Sequence, residues 1–193
     1  MSSSYTKTRI MVECALMIAL GTILANIKIY ELPNGGSITL FSMVPFILVS
    51  FRHGVKWGLF TGFVNSLLQM LLGFYAPPAP GLLPLVGMIL LDYVLAFGVI
   101  GIAGLGRGKP HGIFWGSVLG GAARFVVHYI SGITIYKILA PTEIFGTVFD
   151  NPALYSLIYN GSYVGIDLVL CLVIFGILYA PLKTYMTGAD LRR

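Results

Sequence analysis

The stretch "LLPLVGMILLDYVLAFGVIGIAGLG", Leu82 to Gly106, carries one charged residue, Asp92, in an otherwise apolar run. It is long enough to cross a bilayer once as a helix. Hydrocarbon offers no partner to backbone N–H and C=O groups, so a lipid-immersed run of this kind must bond within itself. Around it lie further apolar segments, from about Ile10 to Ile27, Leu40 to Phe51, Trp57 to Tyr75, Gly112 to Leu139 and Leu154 to Leu182. None shows the alternation of a membrane barrel strand. The totals agree: 57% of the chain is hydrophobic and 10% charged, with a mean hydropathy of +0.89, where soluble domains carry about 25% charged residues. The expectation is an all-α integral membrane protein, one transmembrane domain over residues 1–193 with six transmembrane helices. Pro45 leaves the boundaries and straightness of the short second segment open.

A net charge of +5 raises the question of nucleic acid, but the basic residues sit in short clusters between apolar segments. Lys7 and Arg9, Arg52 and Lys56, Arg107 and Lys109, and Lys183, Arg192 and Arg193 all fall on one side of a six-helix drawing. The positive-inside rule makes that side, and both termini, cytoplasmic. No nucleic acid partner is expected; membrane lipid is. Glu13 interrupts the first apolar run and no cleavage site follows, so the first helix is expected to stay. Cys14 and Cys171 stand alone and read as core residues. The outer loop "ELPNGGSITL", Glu31 to Leu40, sets four turn formers in a row before a short β-prone stretch, which suits either a lid folded over the helices or an ordinary connection. The spacings Gly54, Gly58, Gly62 and Gly112, Gly116, Gly120 read as close helix packing.

An ionisable group in the membrane interior is disfavoured by at least ~2.5 to 3.5 kcal/mol at the helix centre, so each one needs a reason. Glu13, near the cytoplasmic end, can reach water. At ~1.5 Å per residue from the outer helix ends, Asp92 lies roughly 14 Å down, His128 16 Å, Asp167 20 Å and Arg124 22 Å. The deeper pair, Arg124 and Asp167, suggests a structural ion pair. The upper pair, Asp92 and His128, falls within reach of Tyr93, Tyr155 and Asn160, which suggests a polar pocket open to the outside. His128, Gly132 and Tyr136 share one stripe of the fifth helix, flanked by Ser131. The plainer reading is a histidine bonded to a neighbouring helix and a glycine for packing. A carboxylate beside the aromatic ring of Tyr93 instead suits an aromatic cation.

No GxxxxGK[ST], HExxH or GxSxG occurs, and no run of paired acidic residues suits Mg²⁺. The chain therefore reads as a binder or carrier, not an enzyme, with no cofactor implied.

Four stretches, "NGGSITLFSMVPFILVSFRHGVKWG", "LLDYVLAFGVIGIAG", "RFVVHYISG" and "YSLIYNGSY", together resemble the thiamine-specific substrate-binding (S) components of energy-coupling-factor (ECF) transporters, the ThiT family. The resemblance implies a six-helix subunit of the bacterial cell membrane that captures thiamine from outside. It further implies docking on a transmembrane coupling protein with two ATPase subunits, through small residues at AxxxA spacing matched by Ala15 and Ala19 in "CALMIALG". The family's ligand-binding positions fall on Asp92, Tyr93, His128, Gly132, Tyr136, Tyr155 and Asn160, with Tyr75 as a further stacking ring and Arg124 near the pocket. Some members have Glu at the position of Asp92. A tryptophan that some members carry in the first outer loop has no counterpart in "YELPNGGS". On a regular helix Tyr155 and Asn160 point ~140° apart, so either Tyr155 precedes the helix or one of the two misses the ligand.

Two rivals stay open on sequence. One is a stand-alone proton-coupled secondary transporter of a small organic cation, with Asp92, His128 and Asp167 as a relay. The other is a membrane-embedded enzyme.

Overall fold

The computed structural model describes residues 3–77, 79–139 and 142–192. Six helices carry the fold: α1 (Ser3–Asn26), α2 (Val44–His53), α3 (Val55–Gly73), α4 (Leu82–Gly106), α5 (Gly112–Thr134) and α6 (Pro152–Met186). Of these, α1, α4, α5 and α6 are each long and apolar enough to cross a membrane.

Pro45 starts α2 instead of bending it. It occupies the first turn, where its missing N–H is no loss, and Gly54 ends the helix at φ 99°. At ten residues, α2 is about 15 Å long, and it reaches two residues further than the expected Phe51. The fifth segment, expected to Leu139, stops as a regular helix at Thr134 and continues as a 3-10 turn, Tyr136–Leu139. Asn151 caps α6, its side chain accepting from the N–H of Ala153 at 2.9 Å and of Leu154 at 3.4 Å.

α4 runs through the centre against α2, α3 and α5. Glycines let it approach: a methyl at Gly58 would meet the Gly101 Cα at 2.8 Å, and one at Gly120 would sit 2.9 Å from the Ile100 carbonyl. Apart from Gly54, which ends α2, the glycine spacings thus serve packing within one chain. Below the glycine seams, Met43, Phe46, Ile47, Ile100, Ile113 and Phe175 form a buried core.

Two antiparallel hairpins occupy the loops, an addition to the all-α expectation. β1 (Lys28–Glu31) pairs with β2 (Ser37–Thr39) around a turn in which Asn34 has φ 63° and Gly35 φ 88°. β3 (Thr142–Ile144) pairs with β4 (Thr147–Phe149), and Phe145 and Gly146 between them both have positive φ, the geometry that matches strand twist in a two-residue turn. Leu32 in the first turn and Ile144 of β3 belong to one buried cluster with Tyr155 and Tyr159 of α6.

At the positively charged end, Arg52 is 1% exposed. Its guanidinium bonds Glu13 at 2.6 and 3.1 Å, Asp190 at 2.6 and 2.7 Å and the Tyr185 carbonyl. His53 joins Glu13 at 2.7 Å, and Arg9 bonds both Glu13 and Asp190. Glu13 is therefore an element of an ion network tying α1 and α2 to the end of α6, and not simply a group in reach of water.

Candidate ligand-binding cavity

Between the hairpin turn of β1 and β2 and the helices lies a cavity of about 290 Å³, near the lower end of the ~300–1,000 Å³ of small-molecule sites. α6 contributes tyrosines at four-residue intervals, which share a face: Tyr155, Tyr159 and Tyr163, with ring centroids 5.4 and 5.7 Å apart. α5 contributes Arg124, His128 and Gly132 by the same spacing. α4 contributes Asp92 and Tyr93 from a π-helical segment, Ile89–Leu95, an irregularity often found at functional sites.

All nine residues singled out from sequence, Tyr75, Asp92, Tyr93, Arg124, His128, Gly132, Tyr136, Tyr155 and Asn160, line this one cavity. His128 Nδ1 lies 2.9 Å from Asp92 Oδ1, and the Ser131 hydroxyl donates to Asp92 Oδ2 at 2.5 Å. Asn160 donates to the His128 carbonyl at 3.3 Å and accepts from the Tyr163 hydroxyl at 3.0 Å. The Tyr93 hydroxyl accepts the Tyr75 N–H at 2.9 Å and its ring stacks on Phe74 at 5.8 Å, so Tyr93 also sets the chain that carries Tyr75.

Several expectations change in detail. Tyr155 lies inside α6, not before it, and both it and Asn160 line the cavity. They lie at different depths, five residues or about 7.5 Å apart along the helix. What approaches Gly132 is α6: a methyl there would lie 2.7 Å from Ser156 Cβ. Arg124 does both things considered for it, lining the cavity and facing Asp167 at 3.6 Å. Tyr136 reaches the cavity from the 3-10 turn beyond α5.

The first loop lines the cavity with Lys28 and the turn Asn34 to Ser37 and supplies no ring. It lies between two aromatic residues. Gly35 faces the Tyr75 ring, which a methyl would meet at 3.1 Å. Asn34 donates to the Tyr155 hydroxyl at 3.2 Å. At its base, the Thr39 N–H donates to Asp167 at 2.9 Å.

Sequence reading missed Tyr159, Tyr163, Ser156, Gln69 and Phe97, which also line the cavity. The four-residue tyrosine spacing on α6 was the available signal for the first two. Ala15 and Ala19 are exposed on α1 beside Leu16 and Ile23 and take no part in the cavity.

The basic side chains of the lining each face a carboxylate. Arg124 faces Asp167, and Lys28 bonds Glu31 at 2.7 Å. Asp92 is bonded only to an imidazole and a hydroxyl, so among the described residues it is the cavity carboxylate with no Arg or Lys partner. Tyrosine faces around it add attraction for a flat positive group.

The family model described as Thiamine transporter protein (Thia_YuaJ) matches residues 11–186. The chain is 32% identical to "Thiamine transporter ThiT" of Bacillus subtilis, over 88% of this chain and 89% of that protein. It is 30% identical to "Thiamine transporter ThiT" of Lacticaseibacillus paracasei, over 78% of this chain and 77% of that one. A solved structure of ThiT from Listeria monocytogenes shares the fold, with a TM-score of 0.76 at 22% identity, over 93% of this chain and 98% of that chain.

Proposed function

Because the chain belongs to the thiamine transporter protein family, a family of multi-pass membrane transporters and not enzymes, we propose that it is the thiamine-binding S component of an ECF-type importer. The observation that carries the ligand is Asp92, a carboxylate without a basic partner set among tyrosines in a cavity under the first hairpin. Thiamine brings a fixed positive charge, two flat rings, an amino group and a hydroxyl. Tyr75, Tyr136, Tyr155 and Tyr159 offer faces for the rings, each contact worth about 0.5–2 kcal/mol when desolvated. Asp92 offsets the thiazolium charge or accepts from the aminopyrimidine, and His128 and Asn160 fix polar edges. No bond is made or broken.

Inward delivery requires an energy source, and the chain has no phosphate-cradling loop of its own. The partners proposed are a transmembrane coupling protein and two ATPase subunits. The exposed apolar face of α1, where Ala15 and Ala19 let a partner helix approach closely, supports the docking part of this reading. Reconstitution in liposomes tests it. Thiamine accumulates when the coupling module and ATP are present, and not with this chain alone. Uptake by the chain alone, driven by a proton gradient, overturns the S-component reading in favour of a secondary transporter.

A further inference from the structure

Inside a helix, a serine or threonine hydroxyl commonly donates to a carbonyl one turn back on its own helix. Ser50, Thr61, Ser66, Ser117, Thr134 and Ser162 all do so here. Ser131 departs from that habit. Its hydroxyl crosses from α5 to α4 and donates to Asp92 Oδ2. His128, three residues earlier on the same face of α5, bonds the other oxygen of the same carboxylate. Ser131 is 1% exposed and lies outside the cavity lining, so it stands behind the carboxylate and has no path to a ligand.

Building on the thiamine-binding reading above, we propose that Ser131 is a positioning residue, clamping the Asp92 carboxylate jointly with His128 so that its charge faces the ligand's positive ring. One hydrogen bond holds one oxygen and leaves the carboxylate plane free to turn; two donors on neighbouring turns of a single helix fix the plane. The clamp also has a reason in the backbone. Asp92 stands on the π-helical stretch of α4, and bonding it to the regular helix α5 fixes it relative to the other lining groups. A charge-assisted bond from a hydroxyl is stronger than the neutral bond to a carbonyl that Ser131 forgoes, which accounts for the departure.

The test compares two ligands on Ser131→Ala: thiamine and an isosteric analogue with an uncharged five-membered ring in place of the thiazolium. Thiamine binding weakens about tenfold, the effect of losing one hydrogen bond to a charged group. Analogue binding stays at the unsubstituted value, while the ligand-free protein, one buried hydrogen bond short, unfolds at a somewhat lower temperature. An equal loss for both ligands, or a loss for neither, overturns the clamp. If the unsubstituted protein binds neither ligand, it is the thiamine reading that fails. The ligand-free structure of S131A then decides the clamp by itself: Asp92 turned away from His128 supports it, and Asp92 unmoved overturns it.

Discussion

The phenolic oxygen of Tyr159 accepts the Gly36 N–H at 2.8 Å, joining the turn of the first hairpin to α6 directly over the cavity. The same hydroxyl donates to the Pro33 carbonyl, so one side chain holds both ends of the turn. A methyl at Gly36 would lie 2.6 Å from that oxygen. Gly36→Ala therefore lifts the turn off Tyr159. The expected outcome is thiamine dissociation faster by about tenfold, the loss of roughly one hydrogen bond, with little change in unfolding temperature. A chase of bound labelled thiamine measures it, and an unchanged off-rate contradicts the hairpin's role as a lid.

Much of this arrangement was legible in the sequence because lipid leaves few choices. An apolar run long enough to span must be a helix, and depth along the helices set Asp92 level with His128 and Arg124 level with Asp167. The cavity residues followed mostly from the family resemblance. Helix spacing alone grouped only His128, Gly132 and Tyr136, and it set Tyr155 apart from Asn160 although both line the cavity, since a helical wheel carries no depth. The π-helical segment around Asp92 and the hairpin β3–β4 left no periodic signal. The Arg52 network escaped because its members come from both ends of the chain, and only the folded helices bring Glu13 and Asp190 to one guanidinium.

Gly132 tests the contact between α5 and α6. With Ser156 Cβ 2.7 Å from the position of an added methyl, Gly132→Ala overpacks the seam and destabilises the protein by about 1–3 kcal/mol. Adding Ser156→Gly removes the obstructing atoms and recovers most of the loss. Unfolding in detergent measures both, and a fully stable G132A would show that the helices separate without penalty.

The pair formed by Arg124 and Asp167 is asymmetric. Asp167 also accepts from the Thr39 N–H, while Arg124 Nε and Nη1 have no hydrogen-bond partner. Arg124→Met leaves a buried carboxylate uncompensated, which is destabilising by about 3 kcal/mol. Arg124→Met combined with Asp167→Asn is expected to be more stable than Arg124→Met alone, because no charge is then stranded. Thermal unfolding of the single and double variants gives the sign.

At the opposite end, Arg52→Met removes the central cation and leaves Glu13 and Asp190 to Arg9 and His53 alone, and is expected to lower stability by about 1.5–3 kcal/mol. Asp190→Asn is expected to stay within about 1 kcal/mol, since that side chain is partly exposed. Neither residue lines the cavity, so the folded fraction of each variant keeps its thiamine affinity. Titration alongside unfolding separates the two effects.

The central claim is that Asp92 and His128, 2.9 Å apart, hold a cationic vitamin between them and the tyrosines. Titration of thiamine into the purified protein and into Asp92→Asn and His128→Ala tests it most directly. Binding to the unsubstituted protein, weakened about tenfold or more in each variant, is the predicted result. Affinity unchanged in both variants would contradict the account.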